Sequence, residues 1–175
     1  MTELYFKQLD CEKDGSREGK DLLARALALH GIDYGAAEKY KNEFGKEFLC
    51  SHALYYNISH TKTLVCAAVS DTDIGVDCES LRECADHMKI AKRFFTKREF
   101  LQIDGSSDPL REFFTTWTKK ESYIKYTGKG FAVPLASFDV NLLDTEQKTF
   151  EINGCIVTVT GEGAADTNII NGDLI

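Results

Sequence analysis

Apolar and polar residues alternate loosely over residues 3–9, which predicts a short opening strand. Helical spacing follows: Leu22, Leu23, Ala26, Leu27 and Leu29 share one side of a helix that Ser16 is placed to cap and Gly31 to stop. A loop-like stretch then runs to about residue 52. Tyr55 to Ser59 and Thr63 to Ser70 are rich in β-formers and flank a turn at His60–Lys62, the pattern of a hairpin. After a second turn at Asp71-Thr72-Asp73, the run Ile74 to Glu79 predicts another strand. Two short helices are expected over roughly 86–95 and 97–103. The next helix is the best marked, with Asp108 as N-cap, Pro109 in its first turn and Gly128 as its stop. Beyond it, 137–143, 149–152 and 155–160 predict strands, the last two joined by a hairpin turn at Asn153-Gly154. The tail from Gly161 is rich in Gly, Ala, Asp and Asn and is expected to fray. Strands with one substantial helix thus occur twice, without a sequence repeat between them. The fold class is α+β, with an N-terminal half over 1–70 and a C-terminal half over 71–175 forming one compact unit.

Composition narrows the function. The 175 residues are 43% hydrophobic and 28% charged, an ordinary globular balance. A net charge of −7 argues against nucleic acid as a partner, so an anionic ligand needs a local group of cations. No apolar run approaches the ~20 residues needed to cross a bilayer, and the opening Met-Thr-Glu-Leu-Tyr-Phe-Lys lacks a signal pattern. The six cysteines show no C-x-x-C spacing, and several lie in apolar runs. A reduced, cytoplasmic protein without a membrane partner is expected.

The chemistry lies in the carboxylates. Asp77 and Glu79 are two apart on a strand, so both face one side while Val76 and Cys78 face the other. Alone, such a pair reads first as a strand end running into solvent. In the helix after Pro109, Leu110, Phe113, Phe114, Trp117 and Ile124 form one stripe, and Glu121 falls in its middle. A carboxylate there faces packing and needs a compensating charge. Lys125, one turn on, can supply it, as can an arginine from elsewhere or a cation shared with Asp77 and Glu79. Three carboxylates without His or Cys suit a hard ion such as Mg²⁺. Lys120 and Lys125 flank Glu121, and the turn at Ser59 and His60 offers a hydroxyl and an imidazole to an anion. Lys20 and Lys46 are unremarkable by pattern. The residues therefore point to a metal- and phosphate-handling site at the join of two halves, without naming a substrate.

Four blocks, in order, resemble the phosphopantetheinyl transferases of the surfactin-synthetase-activating type. They are Phe44-Gly45-Lys46, Asn57-Ile58-Ser59-His60-Thr61, Gly75-Val76-Asp77-Cys78-Glu79, and Trp117-Thr118-Lys119-Lys120-Glu121-Ser122-Tyr123-Ile124-Lys125. Gly128-Lys129-Gly130, Val133-Pro134-Leu135 and the Ile90–Phe95 segment with Glu99 add to the likeness. The resemblance implies a pseudo-two-fold fold with coenzyme A in the cleft between two small halves. It implies Mg²⁺ on Asp77, Glu79 and Glu121, and contacts to coenzyme A from Lys20, Lys46, Ser59, His60, Lys120 and Lys125. The reaction implied is transfer of 4'-phosphopantetheine to a serine of an apo acyl or peptidyl carrier protein, with Glu121 and Lys125 as catalytic groups. Two joined halves already make one cleft, so a monomer is expected. Glu47 stands where the family usually has proline, and the N-terminal half lacks the basic segment that often precedes its helix. That shorter half leaves room for a second reading, a non-catalytic binder of coenzyme A or of a carrier.

Overall fold

The computed structural model describes residues 1–10, 13–50 and 54–175, so Cys11 and the end of the loop-like stretch at 51–53 lie outside the described residues. The chain runs β1 (Thr2–Gln8), α1 (Gly15–Ala28), β2 (Lys39–Lys41), β3 (Glu47–Leu49), β4 (Tyr55–His60), β5 (Leu64–Ser70) and β6 (Gly75–Ser80). Then come α2 (His87–Phe94), α3 (Lys97–Asp104), α4 (Pro109–Thr127), β7 (Gln147–Ile152), β8 (Cys155–Thr160) and β9 (Asn168–Asn171).

Two sheets stack between two helices. The first has the order β4-β5-β1-β9 and the second β6-β8-β7. β5 shows why they stack. Its residues from Leu64 to Val69 are fully buried, and alternation sends them both ways. Val65, Ala67 and Val69 meet Leu22, Leu23, Ala26 and Leu27 of α1. Leu64, Cys66 and Ala68 meet Val76, Cys78, Val157 and Val159 of the second sheet. A third cluster, with Ala91, Phe95, Ile103, Phe113, Phe114 and Ile156, seats α2 and α3 against α4 and β8.

The structure departs from the sequence pattern at four places. Helix α1 is capped by Asp14, two residues before the expected Ser16, and Asp14 Oδ1 accepts from Ser16 N at 2.9 Å. The stretch after α1 contains a small antiparallel hairpin, β2 with β3. Residues 137–143 form 3-10 turns instead of a strand, because their backbone groups are taken by buried side chains: Lys120 Nζ donates to Phe138 O and Val140 N donates to Glu99 Oε1. The tail does not fray. β9 pairs in parallel with β1, and Arg25 Nη1 donates to the carbonyls of Gly172 and Ile175 at 2.9 and 3.0 Å. The first sheet is therefore completed by residues far beyond the join near residue 70. No helix among the described residues is long and apolar enough to cross a membrane.

Candidate active site

β4 and β6 are edge strands, and the site grows out of their junction. An edge strand leaves alternate backbone N–H groups without a ladder partner. On β6 those of Val76 and Cys78 are met by side chains of β4: Val76 N donates to Asn57 Oδ1 at 3.0 Å and Cys78 N to Ser59 Oγ at 3.3 Å. With Val76 and Cys78 packed in the core, alternation carries Asp77 and Glu79 to the opposite face, beneath α4.

Helix α4 comes unusually close to that face. A Cβ on Gly75 would stand 2.1 Å from Ser122 O and 2.4 Å from Tyr126 N, so only glycine fits. The surface that α4 lays on the sheet is not the apolar stripe of the sequence pattern. Thr118 Oγ1 meets Thr158 Oγ1 at 2.9 Å and Ser122 Oγ meets Thr160 Oγ1 at 2.7 Å. These small hydroxyl residues let the helix approach, and Trp117 packs instead with Phe95 and Phe113. Glu121 and Lys125 thus flank the seam, half-buried and one turn apart.

Lys125 Nζ donates to Asp77 Oδ1 at 2.8 Å and to Ser59 Oγ at 3.0 Å, while Ser59 Oγ donates to Asp77 Oδ1 at 3.0 Å. Glu79 Oε2 accepts from Arg82 Nη1 at 3.3 Å. Burial pushes the Glu121 carboxyl above its ordinary pKa, and the charges of Asp77 and Glu79 add to this against the pull of Lys125. Burial and the Asp77 charge raise Glu79 in the same way, offset by Arg82 and Lys125. Three carboxylates in one electrostatic neighbourhood with a single ammonium form a site poised for further positive charge.

These groups line a groove of about 520 Å³ with Ser16, Ile58, His60 and Trp117. Past Ile58 and Lys125 it continues into a cleft of about 330 Å³ lined by Lys20, Tyr34, Phe44 and Glu47. Past His60 and Glu79 it continues into a basic groove with Lys13, Lys62 and Arg82.

Of the expected site residues, Asp77, Glu79, Glu121, Lys125, Ser59 and His60 are brought together, and Lys20 stands exposed on the rim. Ser59 is 6% exposed and its hydroxyl is committed to Asp77, Lys125 and Cys78 N, so it orders the site instead of facing a ligand. Lys46 and Lys120 correct the sequence expectation. An ammonium has three N–H groups, and both residues have spent theirs. Lys46 Nζ donates to Ile74 O at 3.1 Å and Tyr126 O at 2.8 Å and pairs with Asp73. Lys120 is fully buried, paired with Glu99 at 2.9 Å and donating to Leu135 O and Phe138 O, each at 2.7 Å. Both anchor the scaffold. Sequence reasoning missed Arg82 as the partner of Glu79, and the role of Asn57. Asn57 had a signal: it lies two before Ser59, on the same strand face.

Whether a divalent ion suits this site is tested by Asp77. Its Oδ2 is buried and has no hydrogen-bond partner among the described residues, an arrangement that costs stability unless a cation meets it. Oxygen donors alone, from Asp77, Glu79 and Glu121, match a hard ion. Among the described residues no three such side chains are already gathered tightly enough to hold one. Lys125 sits on Asp77 and Arg82 holds Glu79 aside, and both contacts must loosen for an ion to enter.

Comparison with known proteins points to one group. Residues 73–163 match the sequence model of the 4'-phosphopantetheinyl transferase superfamily. The chain is 37% identical over 115 residues to the 4'-phosphopantetheinyl transferase gsp of Aneurinibacillus migulanus, covering 65% of this chain and 47% of that protein. It is 34% identical over 137 residues to a 4'-phosphopantetheinyl transferase of Bacillus subtilis, covering 75% and 60%. To the 4'-phosphopantetheinyl transferase HetI of Nostoc sp. it is 36% identical over 136 residues, covering 73% and 57%. The chain therefore spans about half to three fifths of the relatives it matches.

Proposed function

The chain belongs to the 4'-phosphopantetheinyl transferase superfamily, and from that premise we propose that it moves the 4'-phosphopantetheine of coenzyme A, in a Mg²⁺-dependent reaction, onto a serine of an apo acyl or peptidyl carrier protein. The observation that carries this reading is the cluster of Asp77, Glu79, Glu121 and Lys125 lining one groove, with one buried Asp77 oxygen that no group among the described residues meets.

In this reading Lys20, His60 and Lys125 meet the phosphates of coenzyme A; Lys46 also lines the cleft, but its N–H groups are taken by Asp73, Ile74 O and Tyr126 O. Asp77, Glu79 and Glu121 are the residues that would hold Mg²⁺, which supplies charge neutralisation to the pyrophosphate. The carrier serine oxygen attacks the β-phosphorus, the bond to the bridging oxygen breaks, and 3',5'-ADP leaves. Glu121 serves first as a holder of the ion, and an oxygen of it left free of the ion takes the serine proton. The Lys125 ammonium, already between Ser59 and Asp77, turns to the charge that gathers on the leaving oxygen.

Incubating the protein with coenzyme A, Mg²⁺ and an apo carrier, then weighing the carrier by mass spectrometry, tests this. A pantetheine-sized mass gain is expected. No gain across several carriers, with coenzyme A still bound, would favour the non-catalytic binder instead.

A further inference from the structure

The far end of the cleft holds a carboxylate among cations. Glu47 lines that end with Lys20, Tyr34, Lys41, Phe44 and Tyr56. Its Oε1 accepts from Tyr34 Oη at 2.7 Å and from Tyr56 Oη at 2.8 Å, which uses both acceptor positions of that oxygen. Tyr56 is 6% exposed and the two rings meet edge to face, so the phenols are held in place. Oε2 has Lys41 Nζ at 4.0 Å, beyond hydrogen-bond reach, and 28% of the Glu47 side chain is open to solvent. Burial works against the Glu47 charge, but the two phenols with Lys41 and Lys39 outweigh it and keep the carboxyl below its ordinary pKa. At neutral pH the group is thus an acceptor with one oxygen to offer.

A negative charge is a poor neighbour for phosphate, so a neutral group belongs directly beside Glu47 Oε2, while the phosphates go to Lys125, His60 and the exposed Lys20. The walls suit a flat ring: Phe44 is exposed at the rim, and Leu23, Ile58 and Ile124 add apolar surface. On the coenzyme A reading above, that neutral group is the purine base. We propose that Glu47 Oε2 accepts a hydrogen bond from the exocyclic 6-amino group of that base, making this end of the cleft selective for adenine over 6-oxo purines. One available oxygen matches one amino group. Guanine presents two adjacent N–H groups, which call for two acceptor oxygens, and any 6-oxo purine sets its carbonyl against the carboxylate.

The test compares binding of 3',5'-ADP with its inosine counterpart by calorimetry, in the wild type and in Glu47→Gln. The glutamine keeps a carbonyl oxygen for the two phenols and turns an N–H₂ toward the cleft. Wild type is expected to favour the adenine nucleotide by about 10-fold or more. In Glu47→Gln the ratio should fall to within about threefold of one, with its thermal unfolding midpoint reported alongside. A wild-type ratio near one overturns the proposal. So does an unchanged ratio in the folded variant. Coenzyme A binding and phosphopantetheine transfer that persist without base preference refute this inference alone, whereas a wild type that binds neither nucleotide nor coenzyme A refutes the transferase reading with it.

Discussion

Glu121 and Glu47 show how differently two carboxylates are used within one cleft. Glu121 is raised by burial and by its acidic neighbours, which suits proton transfer and charge neutralisation. Glu121→Gln is expected to lower turnover by about 100-fold or more, measured by carrier mass gain against time. Its unfolding midpoint should hold or rise, since a repelled charge is removed. Near-normal turnover would sink the assignment. For Glu47 the sign is reversed. Its folded carboxyl lies below the ordinary value of 4.5, so the unfolded chain takes up the proton first as the pH falls. The stabilisation is fully present above 4.5 and is lost as the pH falls from there through the lower folded value. Urea unfolding between pH 7 and pH 3 should show a shallower acid slope for Glu47→Gln than for wild type. Asp77 and Glu79 were legible as a pair on one face because strand alternation is local, and Glu121 drew notice as a charge within an apolar stripe, although that stripe did not give the surface α4 lays on the sheet. Lys46 and Lys120 were not legible, because whether an ammonium faces a ligand or a set of carbonyls depends on loops distant in sequence.

At the scale of elements, α4 carries two linked constraints. On one side it lies against the bare backbone of Gly75. Gly75→Ala forces the helix off the sheet, and a loss of about 3 kcal/mol in urea unfolding is expected. On another side Lys120 reaches Glu99, both fully buried. Lys120→Met strands the Glu99 carboxylate and should cost about 3–5 kcal/mol, much of which the double variant with Glu99→Leu recovers. If the double variant loses the sum of what Lys120→Met and Glu99→Leu lose singly, the pair is not coupled. The borders of α4 were readable from Asp108, Pro109 and Gly128, because caps are local chemistry. Its packing face was not. The apolar stripe marked only a packed side, and the contact with the sheet is made by Thr118 and Ser122, because the partner strand offers Thr158 and Thr160 where apolar residues would have kept the helix further out. The 3-10 turns over residues 135–142 were read partly as a strand for a related reason: their carbonyls answer to Lys120, which no window of sequence around them contains.

At the scale of the whole molecule, the two stacked sheets are not built from contiguous halves of the sequence, since β9 returns to the first sheet. A composition rich in Gly, Ala, Asp and Asn suggested fraying there, but Ile170 and Ile175 pack on the first core and hold it. The seam between the sheets matters more. Asn57 and Ser59 give β6 two acceptors where a neighbouring strand would otherwise lie. In the language of exchange with solvent, the amides of Val76 and Cys78 are sealed by side chains instead of a ladder. Hydrogen–deuterium exchange should find them protected to the level of β5, opening only when the entire chain unfolds. Fast exchange at these two amides would mean that the halves breathe apart independently. If they are slow, the halves melt as one cooperative unit, and the cleft admits its ligand by movement at its rim, over a floor that stays closed.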